Sequence, residues 1–90
     1  MRVARRYVIS GRVQGVGFRY FTEAAAARDG IDGWVRNTPD GRVEIVAEGD
    51  GDAMERFECS IRLGPGGARV SHVEVDLAEP AGRQHGFSVR

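Results

Sequence analysis

Lysine is absent from this 90-residue chain, and all 13 basic residues are arginines. Schiff-base chemistry and a lysine general base are thereby excluded. Cysteine occurs once, at Cys59, which rules out an internal disulfide and any multi-cysteine metal centre. Within "FECSIR", in a helical pattern, that thiol reads as a small buried or half-buried residue. Long apolar runs are missing too. The longest is the four-alanine block at 24–27, far short of a bilayer span. The opening "MRVARRYVIS" carries basic residues but no apolar signal core, so a cytoplasmic location is expected. Charge of one sign does not dominate: 13 basic residues stand against 13 acidic ones, which argues against a general nucleic-acid-binding surface. Asparagine occurs once, at Asn37. The lack of lysine and the scarcity of asparagine fit either a GC-rich genome or selection for heat stability.

What is present is ordinary for a folded protein: 41% hydrophobic and 29% charged residues exclude a disordered chain. Ninety residues make one domain, spanning 1–90, with one core. "RRYVIS" predicts a strand from about Val3 to Gly11. From Arg19, "RYFTEAAAARDG" predicts a helix stopped by Gly30, with Phe18, Phe21 and Ala25 on the core face. Strands at Gly33–Thr38 and Arg42–Glu48 flank "PDG", a turn signal, and form a hairpin. Val43, Ile45 and Ala47 alternate with Glu44 and Glu48, and Val46 suggests partial cover on the second face. A second helix follows, capped by Asp50 or by Asp52 in a capping box with Glu55, striped by Met54, Phe57 and Ile61 and stopped at Gly64-Pro65. In "RVSHVEVDL", Val73, Val75 and Leu77 mark the buried face and His72, Glu74 and Asp76 the wet one. "EPAGRQHG" reads as a loop and "FSVR" as a short terminal strand. The order β-α-β-β-α-β plus that strand predicts an α+β ferredoxin-like split β-α-β sandwich, with two helices on one face of an antiparallel sheet. That fold hosts enzymes, RNA-binding modules and regulatory domains, so it leaves function open.

Function is sought in "RVQGVGFR" at positions 12–19. A loop between a strand and the first helical turn exposes N–H groups with no helical partner. Gly15 and Gly17 allow successive N–H groups to converge on one point beside the positive end of the helix dipole, a nest for an anion and for phosphate above all. Arg19 adds a planar fork that matches phosphoryl oxygens. Alone, these eight residues are a weak signal, because glycine-bearing strand-to-helix connections are common. The spacing is neither G-x-x-x-x-G-K-[ST] nor a dinucleotide loop, which disfavours a nucleotide. Asn37, at the end of the second predicted strand, either reaches the mouth of that loop, where its amide can hold a water and a phosphoryl group, or stabilises its own turn.

"GRVQGVGFR" followed by "GWVRNTPDGRVE" closely resembles the acylphosphatase family, and "VAEG", "GP", "ARVSHVEV" and the closing "GFSVR" extend the resemblance over nearly the whole chain. It implies hydrolysis of the carboxyl–phosphate bond of small acyl phosphates, with neither metal nor cofactor. The family's catalytic arginine falls on Arg19 and its catalytic asparagine on Asn37. Its phosphate cradle falls on the backbone of Gln14, Gly15, Val16, Gly17, Phe18 and Arg19. Thr38, beside Asn37, is placed either to support the site or simply to fill the strand. Position 17 is glycine where some relatives carry a bulky residue, which loosens the loop. The expected partner is a small-molecule acyl phosphate, with no nucleic acid and no membrane, and a monomer is expected. Similar domains occur inside larger carbamoyl-transfer maturation proteins, whereas this chain is expected to stand alone.

Alternative chemistries lack their residues. His72 and His85 stand apart without metal-ligand spacing, and Ser10 has no base within reach in the sequence. An RNA-recognition module would need stacking aromatics with basic residues between them on its central strands, and "VEIVAEG" is acidic. A regulatory ligand-binding module remains the other class to weigh, and the sequence shows no partner domain for it to act on.

Overall fold

The β-branched and aromatic residues at the start of the chain form β1 (Arg2–Arg12) in a computed structural model that describes residues 1–82 and 85–90. After it come α1 (Phe18–Asp29), β2 (Asp32–Asn37), β3 (Val43–Asp50), α2 (Gly51–Leu63), β4 (Arg69–Ala78) and β5 (Phe87–Val89). The strands lie in the order β4-β1-β3-β2-β5, with the split β-α-β arrangement at its centre, as expected. One feature departs from the expected antiparallel sheet: β5 pairs parallel to β2. The reason is positional. β4 ends with Ala78 opposite Ala4, at the same end of the sheet where β2 starts with Asp32 opposite Glu48. A strand entering from that end runs with β2, not against it. Of the loop expected at 79–86, residues 83 and 84 lie outside the described residues.

Alternation along β1 and β3 sends Tyr7, Ile9, Val43, Ile45 and Ala47 to the helix-covered face, where they meet Phe18, Ala26, Met54, Phe57 and Ile61 in the core. Tyr7 and Phe57 stack with ring centroids 6.3 Å apart. Gly30 stops α1 in the left-handed region at φ 68° and returns its N–H to the Ala26 carbonyl, as the sequence predicted. Asp50 caps α2 by accepting from the Asp52 N–H, while Glu55 turns away to Arg5, so the alternative Asp52–Glu55 box does not form. Among the described residues, no helix is long and apolar enough to cross a membrane.

Other expectations are corrected by packing. Leu77 lies 85% exposed on β4, an edge strand of the sheet, and Phe21 is only half-buried, edge-on to Phe18. Cys59 is exposed, on the face of α2 opposite its apolar stripe. Glu44 and Glu48, which alternation sends to the wet face, are 7% and 3% exposed. Arginines cover them. Arg6 and Arg36 each donate to Glu44 at 2.6 Å, and Arg2 donates to Glu48 at 2.7 Å, while the N–H groups of Ala81 and Gly82 close over Glu48 at 2.9 Å. Burial pushes the Glu44 carboxyl up, but the two guanidiniums outweigh it and hold it below its ordinary value.

β2 can sit so close to β3 only because position 33 has no side chain. Gly33 has φ 143°, and a Cβ there would lie 1.9 Å from the Val46 carbonyl oxygen. Gly33→Ala is therefore expected to destabilise the fold by roughly 2–4 kcal/mol, read as a lowered urea midpoint. An unmoved midpoint would show that β2 yields at no cost.

Candidate active site

Between β1 and α1 the chain makes a short loop anchored by Val13, which is fully buried. Gly15 and Gly17 both take left-handed conformations, at φ 74° and 80°. A Cβ at either would meet no atom within 4 Å, so the need for glycine is conformational and not one of space. Gly17 is the N-cap of α1 and has no side chain to cap it. Among the described residues, no backbone N–H from position 14 to position 20 finds a protein acceptor, and the first closed turn is Phe21 N–H to the Gly17 carbonyl at 3.0 Å. A run of unpaired N–H groups at a helix N-terminus is a positive concavity.

Arg19, in the first turn, donates from Nη1 to the backbone oxygen of Arg90 at 3.0 Å, and no side-chain carboxylate pairs with it among the described residues. Arg90 is itself held: its N–H donates to the Val35 carbonyl at 2.8 Å, and its guanidinium lies 4.4 Å above the Trp34 ring. The end of β5 thus fixes one arm of the Arg19 fork and leaves the rest available.

Asn37 is the last residue of β2, opposite Val43. It shares parity with Gly33 and Val35, so its side chain projects to the helix-covered face where α1 begins. Its carboxamide makes no hydrogen bond among the described residues, which removes the alternative of a self-stabilised turn. Thr38 takes that turn instead. Its hydroxyl contacts Asp40 and accepts from the Arg42 N–H at 3.0 Å, while Thr38 N–H donates to the Arg42 carbonyl at 2.8 Å. The Arg42 guanidinium, then the Thr38 hydroxyl, hold the Asp40 carboxyl down at about 2.

A cavity of about 130 Å³ is lined by Val13, Gly15, Gly17, Phe18, Arg19, Tyr20 and Asn37. At about 30 Å³ per water, that volume suits one phosphoryl group and a water. The fold thus brings Gly15, Gly17, Phe18, Arg19 and Asn37 to one hollow. It does not bring Gln14, Val16 or Thr38 to its wall. Val16 packs against the core cluster. Gln14 holds the place together from outside: its Nε2 donates to the Thr38 carbonyl at 2.8 Å and to the Arg42 carbonyl at 2.9 Å.

The acylphosphatase family model matches residues 5–89. The chain belongs to the acylphosphatase family. It is 47% identical over 89 residues to the acylphosphatase of Anaeromyxobacter dehalogenans, covering 99% of this chain and 96% of that one. It is 49% identical over 89 residues to that of Salinibacter ruber, covering 99% and 92%. The crystal structure of the acylphosphatase from Bacillus subtilis superposes with a TM-score of 0.94 at 39% identity, covering 98% of both chains. The chain is accordingly an acylphosphatase-type hydrolase on a ferredoxin-like fold.

Within this acylphosphatase, the Gln14 side chain is the feature that sequence reasoning missed, since only its backbone was assigned to the cradle. The signal was present: Gln14 is the one residue between Val13 and Gly17 with an amide that can donate twice. Its tether locks the loop to the hairpin just beyond Asn37. Gln14→Ala is expected to lower kcat about tenfold while inorganic phosphate still binds within about threefold of its original Kd, because the nest survives and its alignment with Asn37 does not. Unchanged kcat would show the tether to be dispensable.

Proposed function

We propose that this acylphosphatase cleaves the carboxyl–phosphate bond of small acyl phosphates to a carboxylate and inorganic phosphate, and that it does so without metal or cofactor. The observation that carries the reading is the shared cavity: among the described residues, unpaired N–H groups, a guanidinium without a side-chain carboxylate partner and an amide without a hydrogen bond all meet there. In the proposed complex the phosphoryl oxygens sit against the unpaired N–H groups of Gly15, Gly17, Phe18 and Arg19, and the free part of the Arg19 fork binds two of them.

A carboxyl phosphate already carries a good leaving group, so neither a strong general acid nor a covalent nucleophile is required. Phosphoryl transfer passes through a loose transition state with charge spread over three equatorial oxygens. Positioning and preorganised positive charge therefore supply the catalysis. Asn37 orients the attacking water in line with the departing carboxylate, using its carbonyl for the water and its NH₂ for a phosphoryl oxygen. An amide is too weak a base to take the water's proton, so that proton passes to a phosphate oxygen of the substrate. A basic-limb pKa in kcat that disappears only when a protein residue is changed would contradict that last step. Thr38 acts from one remove, by fixing the hairpin beyond Asn37.

The test is the loss of benzoyl phosphate absorbance with purified protein in EDTA. Turnover that persists in the chelator supports the reading. A folded protein that binds phosphate yet turns over no acyl phosphate would leave an anion-binding regulatory module in its place.

A further inference from the structure

Tyr20 has two faces, and the second belongs to a different hollow. It lines the cavity that holds Arg19 and Asn37, and it also begins a groove of about 520 Å³ between α1 and β5. The floor and walls of that groove are Ala24, Ala27, Ile31 and Phe87, with the Glu23 and Asp32 carboxylates at its rim. Tyr20 is 66% exposed, and Ala24 and Ala27 are exposed too, so apolar surface continues directly from the cavity mouth along one side of α1. Among the described residues, Glu23 has no cationic partner, whereas Asp32 is engaged by Arg2 and by the Gly86 N–H.

We infer that this groove receives the acyl group of the substrate, and that the enzyme favours acyl phosphates with an uncharged, apolar acyl chain. The inference rests on the proposed hydrolysis of acyl phosphates. With the phosphoryl group in the nest, the acyl carbon lies at the cavity mouth, and Tyr20 is the wall common to the mouth and the groove. Small residues at 24 and 27, one helical turn apart on α1, leave a furrow in which a chain can lie against Tyr20 and Phe87. The carboxylate rim admits a neutral chain and repels an anionic one, since a second negative charge would be brought beside Glu23 with no cation to meet it. The groove touches neither the attacking water nor the phosphoryl oxygens, so it contributes equally to ground and transition states. Its effect appears in KM and kcat/KM and leaves kcat alone.

The n-alkanoyl phosphates provide the test, because their leaving carboxylates have nearly the same basicity and differ only in length. In the native enzyme kcat/KM is expected to rise about two- to fourfold per added methylene from acetyl to butyryl phosphate, with kcat flat. Succinyl phosphate is expected to fall at least about tenfold below butyryl phosphate. Ala24→Glu and Ala27→Glu place a charge on the groove floor at exposed helix positions where folding is undisturbed. Both are expected to abolish the rise with chain length and to leave acetyl phosphate within about twofold. A series that is flat in the native enzyme, or that rises equally in both variants, overturns the inference. Failure to hydrolyse any member, acetyl phosphate included, would overturn the proposed function itself, so the two failures are told apart by the first substrate measured.

Discussion

Arg19→Ala is expected to lower kcat for benzoyl phosphate by about a thousandfold. An arginine aimed at the equatorial oxygens in phosphoryl transfer is worth roughly 10³–10⁵ in rate, and removal of one preorganised donor elsewhere costs about 10²–10³. The backbone nest remains in the variant, which is why the lower part of the first range applies. Two features separate this loss from unfolding. Among the described residues the Arg19 side chain makes a single hydrogen bond, to the Arg90 backbone oxygen, and the residue is only half-buried, so its removal leaves the core intact. The urea midpoint should move little. Arg19→Lys should recover only a small part of the rate, because an ammonium lacks the planar fork that holds two oxygens. Added guanidinium ion should restore some turnover to the alanine variant and none to the lysine variant. An alanine variant within tenfold of the native rate would remove Arg19 from the mechanism.

Asn37→Ala is expected to lower kcat about a hundredfold with KM changed less than threefold. In the proposed mechanism the side chain holds the water and the loop holds the phosphate, so loss of the amide leaves affinity and removes alignment. Because the Asn37 carboxamide has no hydrogen bond among the described residues, its truncation frees no buried partner and should cost little stability. Asn37→Asp discriminates further. An aspartate is a better base but a like charge beside a dianion, so it should bind phosphate more weakly and run no faster than alanine. If Asn37→Asp were instead more active than the native enzyme, water activation by a base would replace orientation as the role of this position.

The site was legible where chemistry is local and obscure where it depends on side-chain direction. Gly15 and Gly17 announce a left-handed backbone in any context, and an arginine directly inside a helix start can face only a few ways. The helix stop at Gly30 and the hairpin at "PDG" were read for the same reason: each is a property of two or three neighbouring residues. Gln14 was half understood, because whether its amide reaches the carbonyls of Thr38 and Arg42 depends on residues 24 and 28 positions away. Glu44 and Glu48 show how a correct face assignment can accompany a wrong burial. They do point away from the helices, yet arginines on β1 and β2 roof them over, and a period-two pattern holds no information about neighbours on other strands. The parallel β5 required knowing at which end of the sheet the chain leaves β4.

The same roof of arginines has a consequence at long range. Arg2, Arg5, Arg6, Arg28, Arg36, Arg42, Arg56 and Arg62 each touch a carboxylate, so their fields cancel within a few ångströms. Among the described residues, the arginines without a side-chain carboxylate partner are Arg12, Arg19, Arg69 and Arg90. Arg12 ends β1 opposite Arg69 and Arg19 begins α1, so these three gather at the end of the sheet that carries the loop, while the Arg90 guanidinium lies over Trp34. A chain of zero net charge therefore still presents a focused positive lens, and an incoming dianion is steered to one end of the molecule at a rate that falls as salt is added.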